Sequence, residues 1–105
     1  MAVDAKALNH AVSSYVSDVR NAMSIDHVYL FGSYAKGTAN DNSDIDLCFF
    51  SSDFEGKPSI DVSRQLCRMT INYRDVDIEP YGFPTSELQN DNPFVKEILR
   101  TGREI

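Results

Sequence analysis

Ile25-Asp26-His27-Val28-Tyr29-Leu30-Phe31-Gly32-Ser33, followed by Asp44-Ile45-Asp46-Leu47-Cys48-Phe49-Phe50, is the stretch whose reading decides the fold. The first run is rich in β-branched and aromatic residues. It stops at Gly32-Ser33, where a residue without a Cβ lets the main chain turn sharply. From Ser33 to Asn42 the chain is small and polar, with Gly37 and Asn40 as breakers, so at most a short helix bridges the gap. The second run opens by alternating acid and aliphatic. In a strand this puts Asp44 and Asp46 on one face and Ile45 and Leu47 on the other. The expectation is strand, glycine turn, strand, with one face that packs and one that carries chemistry.

Upstream, Ala5, Leu8, Val12, Tyr15, Val16, Val19 and Met23 recur three and four apart, which predicts a helix with Asp4 placed to accept from its first amides. Downstream, Ser51 to Pro58 reads as a loop. Ser59 to about Ile71 reads as a helix with Ile60, Ser63, Leu66, Cys67 and Thr70 turned inward. Asn72 to Pro80 returns to alternation, Val76 and Ile78 facing one way and Asp75, Asp77 and Glu79 the other, until Pro80 ends the ladder. Asn92-Pro93 is a cap followed by proline at the first helical position. Phe94, Val95, Ile98 and Leu99 then form an apolar stripe closed by Gly102. The order of elements predicts an α/β (α+β) fold, a mixed sheet flanked by helices, in a single domain over residues 1–105.

Composition narrows the functional classes. With 105 residues, 42% hydrophobic and 25% charged, the chain can bury one core but has little left for a separate substrate lobe, so a partner is expected. Sixteen acidic residues against 10 basic give a net charge of −6, which repels polyanions and argues against sequence-independent nucleic-acid binding. Cys48 and Cys67 lack CxxC spacing and sit in apolar stretches, so both read as reduced core thiols. His10 and His27 belong to no zinc pattern. The N-terminus lacks the plan of a signal peptide and no apolar run approaches the ~20 residues of a membrane span, so a cytoplasmic protein is expected. Phe49, Phe50 and Phe94 read as core rather than as a stacking platform, there being no basic groove around them. Arg64, Arg68 and Arg74 read as a solvated helix face.

The acids carry the chemical signal. Two carboxylates two apart on a strand project in parallel and can share hard divalent cations; Mg²⁺ prefers a few carboxylates, water and phosphate oxygens. A pair of such ions would clamp the attacking and leaving oxygens of a displacement. Gly32 would let the backbone approach a nucleotide's phosphates, the Ser33 hydroxyl and nearby amides would donate to phosphate oxygens, and Lys36 would add charge. The positive end of a short helix here would favour the same anion.

Gly32-Ser33-Tyr34-Ala35-Lys36-Gly37, then Ser43-Asp44-Ile45-Asp46-Leu47, resembles the signature of the DNA polymerase β-like nucleotidyltransferases, in which ten residues separate a Gly-Ser pair from two acids one residue apart. At average residue frequencies, four such fixed positions recur by chance in on the order of one chain in a thousand of this length. In size the chain is similar to the stand-alone minimal nucleotidyltransferases. The resemblance implies a Mg²⁺-dependent transfer of a nucleoside monophosphate, AMP from ATP, to an acceptor hydroxyl with release of pyrophosphate. Asp44 and Asp46 would hold the metals, two in number, and Gly32 and Ser33 would seat the β- and γ-phosphates. A third acid would come from a neighbouring strand, where Val76-Asp77-Ile78 matches the family's aliphatic-acid-aliphatic pattern. Asp77 would then be both a metal ligand and the base. Asp75 and Glu79 share its expected face, so a slip of one pleat would move the role to either. Minimal members are often encoded with a helical HEPN partner, and in toxin–antitoxin pairs of this kind the nucleotidyltransferase is an antitoxin that adenylylates a partner tyrosine. The resemblance therefore implies a HEPN-type protein as acceptor. A non-catalytic antitoxin of the same fold and transfer to a small molecule are the alternatives.

Overall fold

A computed structural model describes residues 5–39 and 43–105. The expected cap at Asp4 and the breaker at Asn40 lie outside the described residues. The elements are α1 (Ala5–Ala22), β1 (His27–Phe31), α2 (Ser33–Lys36), β2 (Ile45–Ser51), α3 (Ser59–Arg68), β3 (Ile78–Pro84), α4 (Pro93–Thr101) and β4 (Arg103–Glu104). Single 3₁₀ turns occupy Ser52–Phe54, Met69–Tyr73 and Thr85–Leu88.

The four strands form one mixed sheet in the order β3-β2-β1-β4. β1 runs antiparallel to β2 and to β4, while β2 and β3 are parallel. A parallel pair needs a crossover connection, and α3 supplies it. The expected mixed sheet with flanking helices is therefore present.

Pleat alternation splits the strands between two layers. Val28 and Leu30 of β1 and Ile45, Leu47 and Phe49 of β2 point to one face, where Leu8, Val12, Tyr15, Val16 and Val19 of α1 and Val62 and Leu66 of α3 cover them. The helical stripe read at the N-terminus is thus the stripe that packs. Tyr15 ties the layer together, its buried hydroxyl donating to the Leu66 carbonyl at 2.7 Å. On the opposite face Cys48 and Phe50 meet Val95 and Ile98 of α4. The Asn92 side chain caps α4 by accepting from Phe94 and Val95 amides, with Pro93 in the first turn.

Several expectations need correction. The acidic face of β2 is chemical only at its start; from Cys48 onward it is core, because α4 folds over it. Residues 72–76 are not a strand. Met69–Tyr73 form a 3₁₀ turn, and β3 begins at Ile78 and continues through Pro80 to Pro84. Pro80 is tolerated because β3 lies at the sheet edge, where a missing N–H costs no ladder bond on the open side. In α3 the inward positions are Val62 and Leu66; Ile60 and Cys67 are exposed. Gly82 of β3 explains this packing, since a Cβ there would stand 2.4 Å from Val62 Cγ1 and 3.0 Å from Leu66 Cδ1. Phe94 and Leu99 of α4, expected inside, are also exposed.

Candidate active site

The antiparallel register of β1 and β2 sets Phe31 opposite Asp46, so the turn that leaves β1 rises beside the start of β2. Gly32 occupies that turn at φ +74° and ψ −154°, a region of the map open essentially to glycine alone. A Cβ on Gly32 would lie 2.2 Å from an Asp46 carboxylate oxygen. The Gly-Ser turn and the second aspartate are therefore packed against each other. Ser33 opens the single-turn α2, which Gly37 ends in the left-handed conformation with its N–H on the Ser33 carbonyl.

Parallel pairing brings β3 to the same end of the sheet. Ile45 N–H donates to the Asp77 carbonyl at 2.6 Å, Ile45 stands opposite Ile78, and Asp46 stands opposite Glu79. Asp77 thus precedes β3 at the level of Asp44, and Glu79 lies one pleat further in, at the level of Asp46. Asp46 is half-buried, while Asp44, Asp77 and Glu79 are exposed. Burial first, then the charges of Asp44 and Glu79, push the Asp46 carboxyl up to about 6.

A cleft of about 700 Å³ opens at this end of the sheet. Asp44, Asp77 and Glu79 line it on the strand side, and Arg68, Ile71 and Arg74 line it from α3 and the turn that follows. Arg64, Arg68 and Arg74, expected to be solvated, are all exposed; Arg68 and Arg74 also border the cleft, and Arg64 does not. Lys36 is exposed on the other flank, and its charge reaches Glu97 of α4. Asp75 is exposed and does not line this cleft.

Among the described residues no three His, Cys, Asp or Glu side chains are already gathered as a metal cage. Mg²⁺ does not need one, since it is held by one or two carboxylates plus water and substrate phosphate. The donor set fits such an ion: a half-buried carboxylate, raised by two like charges, gains by meeting a cation.

Tyr81 is the residue that sequence reasoning passed over. It follows Glu79 on the same face of β3. Burial and then the charges of Asp46, Glu79 and Asp44 raise its phenol above the ordinary value. The signal was present in the alternation Glu79, Tyr81, Phe83, which was hidden by ending the strand at Pro80.

Comparison with known proteins agrees with this fold. The family model for polymerase beta, nucleotidyltransferase, matches residues 16–105. A crystal structure of a toxin-antitoxin with AMP-PNP superposes at TM-score 0.62 and 21% identity, covering 90% of this chain and 69% of that one. A mutant of the toxin-antitoxin MntA-HpeT gives TM-score 0.60 at 19% identity over 92% and 70% of the two chains. A candidate nucleotidyltransferase from Sulfolobus solfataricus gives 0.57 at 17% identity over 99% and 89%. At these identities the likeness is one of fold. No curated protein matches the chain. No helix among the described residues is long and apolar enough to cross a membrane.

Proposed function

The chain belongs to the polymerase beta nucleotidyltransferase family, and on that premise we propose that it transfers AMP from ATP to a hydroxyl of a partner protein. The observation that supports this reading is the close approach of the Gly32 turn to the Asp46 carboxylate, where a Cβ would have no room; phosphate seating and metal holding need neighbouring groups of this kind. The Gly32 backbone and the Ser33 hydroxyl seat the terminal phosphates. Asp44 and Asp46 would hold Mg²⁺, which when bound would neutralise charge on the triphosphate and make the acceptor hydroxyl more acidic. Lys36, exposed at the end of α2, would add positive charge near the phosphates.

Asp77 is the third carboxylate and takes the acceptor's proton. What supports this is that Asp77 lines the cleft and stands level with Asp44, where it would be within reach of an acceptor held there. A competing assignment rests on one specific observation: Glu79, not Asp77, stands opposite Asp46 and contributes to its raised pKa. Asp77→Asn abolishing turnover while Glu79→Gln is mild supports Asp77; the reverse order moves the role to Glu79.

The cleft is open among the described residues, which suits an acceptor brought from outside the chain. A HEPN-type toxin as that partner accords with the toxin-antitoxin structures of the same fold. The class of reaction is tested by incubating the protein with Mg²⁺ and a host lysate, using ATP labelled in either the α- or the γ-phosphate. Label entering a protein band from the α-position alone supports nucleotidyl transfer. Label from the γ-position shows phosphoryl transfer and overturns the proposal.

A further inference from the structure

Phe94 is the second residue of α4, and its amide is fixed by the Asn92 side chain at 3.0 Å. The residue is 41% exposed, although its ring belongs to an aromatic cluster. Phe31 meets it edge-on at a centroid distance of 5.7 Å, Tyr81 at 5.4 Å and Phe83 at 5.8 Å, and Phe31 and Tyr81 lie 5.4 Å apart. Among the five large apolar side chains exposed in the described residues, Phe94 is the one aromatic ring, and it rests on a base of other rings.

The position of the cluster gives it a meaning. Phe31 is the residue before Gly32 and stands opposite Asp46. Tyr81 lies within the field of Asp46, Glu79 and Asp44. The Lys36 charge is felt at Glu97, one turn along α4 from Phe94, and α4 packs on β1, the strand that ends at Phe31. The exposed ring is therefore next to the turn and acid that the proposed function assigns to phosphate and metal.

We infer that Phe94, backed by Phe31 and Tyr81, is a stacking shelf for the purine base of the nucleotide. This rests on the nucleotidyl-transfer reading and adds its specificity. The shelf offers ring faces and one phenol, so it selects for stacking area rather than for a donor and acceptor pattern. ATP and GTP are held alike, and CTP and UTP are held less well.

The test measures binding of Mg-ATP and of Mg-tripolyphosphate, which has no base, to the wild type, Phe94→Ala, Phe94→Leu and Phe94→Trp. Phe94→Leu keeps apolar volume and removes the π face, so a melting curve like the wild type's keeps that comparison independent of folding. Losing one stacked base is worth about tenfold in affinity. The expected result is that Phe94→Ala and Phe94→Leu bind ATP about tenfold more weakly, tripolyphosphate is unchanged in all variants, and Phe94→Trp retains ATP affinity. Unchanged ATP affinity in Phe94→Ala, or an equal loss for tripolyphosphate, overturns the shelf and leaves the transfer reading standing. A wild type that binds neither ligand overturns both.

Discussion

Replacing Asp46 by Asn should make the metal-free protein more stable. Asp46 is half-buried between Asp44 and Glu79, and its carboxyl titrates near 6 rather than at the ordinary 3.8. A raised carboxyl pKa means that the folded state holds its proton more tightly than the unfolded chain does. Stability from this group is thus present below pH 4 and is lost as pH rises through about 6. Without screening, the difference is about 3 kcal/mol. Because the side chain remains partly in water, about 1–1.5 kcal/mol is the reasonable magnitude. Asparagine has the same shape and no charge. In a domain of this size the gain corresponds to a melting temperature higher by about 5–10 °C at pH 7.5. Thermal melts of wild type and Asp46→Asn in chelator should show that gap at pH 7.5 and close it near pH 4. Excess Mg²⁺ should raise the wild type and narrow the gap, since it binds only the folded state. Equal melting at pH 7.5, or a gain that persists at pH 4, would refute the electrostatic account of the site.

Gly32→Ala forces a side chain into a glycine-only conformation and onto the Asp46 carboxylate, so it should cost about 2–4 kcal/mol by urea unfolding and remove activity together. Gly82→Ala should cost about 1–3 kcal/mol by overpacking β3 against the stiff Val62 side chain, with transfer retained in the folded fraction. Tyr15→Phe leaves the Leu66 carbonyl without its buried donor and should lower stability by about 1–2 kcal/mol, read from the same unfolding curves.

The strand-turn-strand at 25–50 was legible because each signal there is local: β-rich residues, a glycine, and an alternation whose period is that of a pleat. The helix stripe from Leu8 to Val19 and the Asn92-Pro93 cap were legible for the same reason. What the chain hides is set by tertiary partners. Pro80 looks like a strand terminator until β3 is known to be an edge. In α3 Leu66 is inward as its spacing predicts, but Val62 rather than Ile60 or Cys67 joins it, because the space that Gly82 leaves for them is a property of another element. Whether Asp77 or Glu79 meets Asp46 is a question of register, and register is fixed by the Ile45 N–H bond to Asp77 rather than by composition. Phe94 carries an apolar periodicity indistinguishable from core, yet α4 leaves it at the surface beside the turn.

The most direct test of the central claim compares wild type, Asp44→Asn and Asp46→Asn in Mg²⁺-dependent transfer of α-labelled AMP to protein in a host lysate. Loss of an outer-shell partner of a metal already costs about 10–100-fold, so loss of a ligand should lower transfer by at least about a hundredfold. The account predicts a labelled band with the wild type and none with either variant, all three proteins remaining folded by their melting curves. Full labelling by both variants would contradict the assignment of Asp44 and Asp46 as the metal-holding pair.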